Sequence, residues 1–207
     1  MAALAATAGC ASNAERDDAL RASKAALDAK PVCCVQTQQF LFARMAMPFE
    51  STFFVDRSAP TFAFPKGKSY FRSFELPPFE RPYFLEIESQ VMGGAIATSQ
   101  WLFQPVLLFL DRDHRVVALL RDLRFRPLIM GNQVRGMGTR MLLDERAGRA
   151  RYLVIFTEPD AMSRTFDFGT VSMGMAAGAP HNRQYSVPYG YEGRLTLRAL
   201  AGVPASQ

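Results

Sequence analysis

The sequence predicts a mainly β fold, an antiparallel β-sandwich of jelly-roll type preceded by a short N-terminal helix. Three observations carry that expectation. Phenylalanine is abundant, 17 of 207 residues, and aromatic side chains favour pleated, half-buried surfaces. From residue 39 onward, short apolar runs are punctuated by Pro, Gly and Asp, with 13 Pro and 14 Gly in the chain to make the turns. No alternation of strand and helix patterns interrupts those runs, so the strands are expected to pair antiparallel.

The chain divides into three parts by composition. Residues 1–10 read as a truncated lipoprotein-type signal: MAALAATAG is all small or apolar and runs directly into Cys10, the residue that would be acylated. Thr7 departs from that pattern, since leucine is usual three places before the cysteine. Residues 11–38 read as a helical tether. Ser12 or Asn13 is its N-cap, Glu15 lies in the first turn, Leu20 and Leu27 form a thin apolar stripe, and Pro31 stops it. Residues 39–207 form the β domain.

Ten strands are expected there: Thr52–Val55, Thr61–Phe64, Ser69–Leu76, Tyr83–Gln90, Val106–Leu110, Arg115–Leu120, Arg124–Ile129, Thr139–Leu143, Ala150–Thr157 and Arg194–Leu200. Tyr83, Leu85 and Ile87 share one face opposite Phe84, Glu86 and Glu88, the alternation of a half-buried strand. Leu195, Leu197 and Ala199 repeat it, with Thr196 and Arg198 outside. The runs from Val106 and from Tyr152 are continuously apolar and read as central strands. Asp111–His114 is a polar hairpin connection between the first of these and Val116. Residues Gly169–Gly190 carry no convincing period and read as a long flexible flap, since unstructured stretches above about 12–15 residues are usually mobile or functional.

Composition excludes several classes of function. The net charge of +5 is spread along the chain with acids interspersed, even in the densest cluster, Arg121–Arg126, so no nucleic-acid partner is expected. No run approaches the roughly 18 apolar residues that span a bilayer as a helix. Catalysis is not expected and no cofactor is implied. The chain has two histidines, no nucleophile elbow and no phosphate loop. Gly136 and Gly138 lack the third glycine of a dinucleotide site. Glu86 and Glu88 stand roughly 6–7 Å apart along one strand face, a spacing that solvated strands often show; an enzyme would need two carboxylates facing each other in a cleft. Asp111 and Asp113 offer too few oxygens for a firm calcium site. Vicinal Cys33 and Cys34 cannot easily converge on one metal ion. They form either a vicinal disulfide or buried thiols, and they remain an even pair if Cys10 is lipidated.

Sugar binding leaves softer signs, an aromatic platform ringed by polar side chains. Trp101 with Gln104 is one candidate; Tyr189 and Tyr191 with His181 and Asn182 are the other. Both have a packing alternative. Trp101 precedes a core strand, and Tyr189 and Tyr191 precede the last one.

Four blocks, GKSYFRSFELP at 67–77, FQPVLLFLD at 103–111, YLVIFTE at 152–158 and YGYEGRLTL at 189–197, resemble in order and spacing the maltose-operon periplasmic protein family (MalM). The vicinal cysteines resemble some members as well. The resemblance implies export to the periplasm of a Gram-negative envelope and association with maltose and maltodextrin uptake, with no catalytic residues to carry over. The expected function is that of an accessory protein binding maltodextrin-type carbohydrate or assisting its transport, anchored to the outer membrane through Cys10. The alternative is a structural or assembly lipoprotein that binds an envelope protein and no sugar.

Overall fold

The computed structural model of the chain describes residues 8–94, 97–131, 133–176 and 179–202; side chains are described for these except 8–13, 97, 146, 172–176 and 179–183. Helix α1 (Ala8–Ala29) opens the chain. The first strands are β1 (Ala43–Arg44), β2 (Phe49–Val55), β3 (Thr61–Phe64), β4 (Gly67–Glu75) and β5 (Tyr83–Gln90). Then come β6 (Met92–Gly93), β7 (Gln100–Trp101), β8 (Val106–Leu110), β9 (Val116–Leu120) and β10 (Arg126–Met130). The last are β11 (Gln133–Leu143), β12 (Tyr152–Phe156), β13 (Thr165–Ala176), β14 (Ala179–Pro188) and β15 (Gly193–Ala201). Each of the ten expected strands is found, several with the expected ends.

Two sheets form a sandwich. Sheet one runs β1-β4-β12-β8-β9 with β3 beside β4, and sheet two runs β10-β11-β5-β15-β2. Alternate residues of both face a common core: Phe74, Leu107, Phe109, Leu153 and Ile155 from the first, Val55, Leu85, Ile87, Leu195 and Leu197 from the second. Each such buried apolar side chain contributes about 1.5–3 kcal/mol relative to exposure.

Sheet one is buried on its other face too, which is why β8 and β12 are apolar at every position. Val106, Leu108, Leu110, Val154 and Phe156 point outward into a second cluster with Phe40, Phe64 and Phe71. The segment between α1 and β1 lies over this face as a lid. Phe40 packs 4.3 Å from Phe71 and 5.0 Å from Phe62 by ring centroid, and Ser73 Oγ donates to Leu41 O at 2.8 Å. Within the lid a disulfide joins Cys33 to Cys34. The face is thus covered by residues on both sides of position 39.

Helix α1 begins at Ala8, earlier than the expected N-caps Ser12 and Asn13. Its far end is docked. Leu27 is buried in the sandwich core, and Lys30 Nζ donates to Arg57 O and Ala59 O at 2.6 and 2.8 Å. The signal expected at residues 1–10 falls on residues 1–7 and on the Cys10 side chain, which lie outside the described residues. Among the described residues no helix is long and apolar enough to cross a membrane.

The expectation of an unstructured flap at Gly169–Gly190 is corrected: residues 169–176 and 179–188 belong to the antiparallel strands β13 and β14. Register shifts between Asp167 and Thr170 and between Ser172 and Met175 break the two-residue alternation, and Gly169 sits at φ 73°. The hairpin buries Phe168, Val171, Tyr185 and Val187 in a third cluster with Leu102 and Met137.

Candidate functional site

Among the residues expected to bind sugar whose side chains are described, Gln104 and Tyr189 are buried and Trp101 and Tyr191 are half-buried. Trp101 is half-buried; its Nε1 donates to Glu192 O at 3.1 Å. Its ring passes between Gly93 and Gly190, where an added Cβ would lie 2.9 and 2.5 Å from indole atoms. Gln104 is buried, and its Oε1 accepts from Arg164 Nη2 at 3.0 Å. Tyr189 is buried with its hydroxyl 3.9 Å from Met137 Sδ. Tyr191 is half-buried, with Lys24 Nζ 5.9 Å from its ring centre. Burial raises the phenol pKa of both tyrosines. A bridge between Leu102 and Tyr189 brings Trp101 and the tyrosines together. His181 and Asn182 stand on β14, with side chains outside the described residues. Asp111 serves the hairpin, its Oδ1 accepting the N–H groups of Asp113 and Arg115 at 2.9 and 2.8 Å.

The open polar surface is the outer face of sheet two. Sheet register sets Glu50, Arg198, Glu86 and Arg140 side by side across β2, β15, β5 and β11. Acid and base alternate along this row. Arg198 Nε meets Glu50 at 2.9 Å, Arg198 Nη1 meets Glu88 diagonally at 2.6 Å, and Arg140 Nε meets Glu86 at 3.3 Å. The bond to Glu88, reinforced by Glu50, raises the Arg198 pKa and keeps its guanidinium charged. In the next row Thr52 and Thr196 share a hydrogen bond of 2.8 Å, and Gln90 Nε2 donates to Thr196 Oγ1 at 3.1 Å.

Beside this ladder lies a groove of about 700 Å³, walled by the connection from β9 to β10. Its floor is low because Gly138 stands opposite Glu88 and carries no side chain; a Cβ there would press against Leu128 at 3.3 Å. Phe84 gives it an aromatic patch, with the Arg140 guanidinium 3.9 Å from the ring centre. Glu86, Glu88 and Asp122 line it together with Arg124, Arg126 and Arg140, so its charges balance. Glu86 and Glu88 do share the groove, but each is held by its own arginine rather than facing the other across it. Such an arrangement offers fixed donors and acceptors to a neutral polar ligand. These residues alternate outward in the sequence; what the sequence hides is which strands bring them together.

The family model described as maltose operon periplasmic protein precursor (MalM) matches residues 66–176, over half of the chain. That stretch runs from β4 through β13 and contains every residue that lines the groove. No curated protein and no solved structure matches the chain. On the family match, this chain belongs to the maltose operon periplasmic proteins.

Proposed function

We propose that this periplasmic protein binds a maltodextrin-type oligosaccharide in the groove on sheet two and serves as an accessory to its uptake. The observation that carries the reading is the charge-balanced ladder of carboxylates and guanidiniums beside Phe84 and the Gly138 floor. Paired acids and bases match vicinal hydroxyls as acceptor and donor, and the aromatic patch suits the apolar face of a sugar ring. The protein acts as a binder in this reading, not as a catalyst, with Cys10 as its lipid anchor; loss of membrane partition in Cys10→Ala tests the anchor.

Isothermal titration of the protein with maltose through maltoheptaose tests the binding. The expected result is saturable heat that strengthens with chain length and weakens roughly tenfold or more in Arg140→Ala or Phe84→Ala. Arg115→Ala, on the exposed hairpin, leaves it unchanged. Loss in Trp101→Phe or Tyr191→Ala instead would move the site to the aromatic cluster. Absence of heat with every length overturns the carbohydrate reading. The second reading, a protein partner in the envelope, then takes its place; the exposed Val35 and Leu41 beside β1 favour it.

A further inference from the structure

Cys33 and Cys34 are joined although they are neighbours in the chain. A cross-link stabilises a fold more the longer the loop it closes, with the logarithm of loop length, and this one closes the smallest ring available, so holding distant segments together does not account for it. The lid around it is fastened by other bonds. Cys33 N–H donates to Thr61 O at 2.9 Å, and Thr61 Oγ1 donates to Pro31 O at 2.7 Å. Gln39 Oε1 accepts the N–H groups of Val35 and Gln36 at 2.8 and 3.3 Å.

The two sulfurs are not equivalent. Cys33 is exposed. Cys34 is half-buried against the Phe40 and Phe71 cluster, its Sγ 3.8 Å from Gln39 O. In the same segment, Val32, Val35 and Leu41 are 45%, 84% and 93% exposed.

We propose that Cys33–Cys34 is a thiol–disulfide exchange site, reduced by a dithiol redox protein that attacks Cys33. The donor thiolate bonds to Cys33 Sγ, the Cys33–Cys34 bond breaks, and the electron pair leaves on Cys34 Sγ, which takes a proton from water. The new thiol has the Gln39 carbonyl as its acceptor. The donor's second thiolate then attacks its own sulfur in the mixed disulfide, and Cys33 leaves and is protonated. The chain gains two electrons and two protons, and the donor becomes a disulfide. Val32 and Val35, exposed on either side of the pair in the chain, give that donor an apolar landing surface, and the hydrogen bonds of the lid keep the segment placed throughout.

The test uses the full chain carrying Cys10→Ser, so that the vicinal pair alone reacts. Under native conditions dithiothreitol is expected to release two thiols for alkylation while the circular dichroism spectrum stays unchanged. Glutathione disulfide is expected to modify Cys33 in a Cys34→Ser variant roughly tenfold faster than Cys34 in a Cys33→Ser variant. Should either variant fail to fold, reduced glutathione added to the parent chain and quenched with acid gives the same answer, because peptide mapping locates the mixed disulfide on Cys33. Thiols that appear only on unfolding, equal rates in the two variants, or a mixed disulfide on Cys34 would overturn the proposal.

Discussion

Replacing Phe40 by alanine tests whether the lid over sheet one belongs to the folded core. Phe40 is 5% exposed and packs against Phe71, Phe62 and Phe42 with centroid distances of 4.3, 5.0 and 6.2 Å. Truncating a core phenylalanine costs about 3–5 kcal/mol, less where the surroundings collapse into the space. Here the lid is a single layer that can settle onto the sheet, so the lower end, about 3 kcal/mol, is expected. In a chain of this length that lowers Tm by roughly 6–12 °C. The neighbouring Leu41 is 93% exposed, and Leu41→Ala should stay within about 0.5 kcal/mol. Urea and thermal melts followed by circular dichroism measure both. Equal effects from the two substitutions, or a loss below about 1 kcal/mol for Phe40→Ala, would mean that the outer face of sheet one is not sealed by this segment.

Gly193→Ala should be poorly tolerated, because a Cβ there would stand 2.2 Å from the Cβ of buried Phe103; a loss of about 3 kcal/mol is expected in urea melts. Burial pushes the Tyr83 phenol up to about 12 from its ordinary 10. The unfolded phenol therefore ionises first, so this contribution is complete below pH 10 and is lost as pH rises through about 12. Urea melts between pH 9 and 12 should show that loss, and Tyr83→Phe should flatten it. Arg121 Nε holds the buried Glu158 carboxylate at 2.8 and 3.1 Å, with Lys66 Nζ on the same group at 3.0 Å. Arg121→Met is expected to cost about 1–2 kcal/mol, and adding Glu158→Gln should recover part of it, since an under-compensated charge is removed.

The sandwich was legible wherever a strand carried a clean pattern. Tyr83–Gln90 alternates because one face meets the core and the other meets water; Val106–Leu110 is apolar throughout because both faces are covered. Residues 165–188 hid their strands because two register shifts reset the alternation. The lid was hidden for another reason. Phe40 is far in sequence from Phe62 and Phe71, which share the β3–β4 hairpin, and nothing local says that it converges on them. The groove falls between these cases. Glu86 and Glu88 read correctly as outward-facing, yet their partners Arg140 and Arg198 are assigned by register alone; Arg198 and Glu88 lie 110 positions apart. Trp101 and Tyr189 stood out as aromatics in a polar setting, and what the sequence does not show is that Gly93 and Gly190 flank the indole and let it pack against backbone.

The ladder across sheet two permits a separation of structure from function that the core does not. Glu50 and Arg140 side chains are 62% and 52% exposed, their partners Arg198 and Glu86 25% and 22%, and ion pairs with one member this open to water contribute about 1 kcal/mol or less each. A row of four alternating charges is therefore not required to hold β2, β15, β5 and β11 together; their backbone ladders and the inward-facing Leu85, Ile87, Leu195 and Leu197 suffice. The double variant Glu86→Gln/Arg140→Gln removes one acid and one base and leaves the net charge unchanged. It should shift the urea midpoint by less than about 1 kcal/mol of stability while weakening oligosaccharide binding roughly tenfold or more. Melts and titrations on the same preparation give both numbers. Lost stability with retained binding would assign the ladder to the fold and leave the groove without its recognition groups.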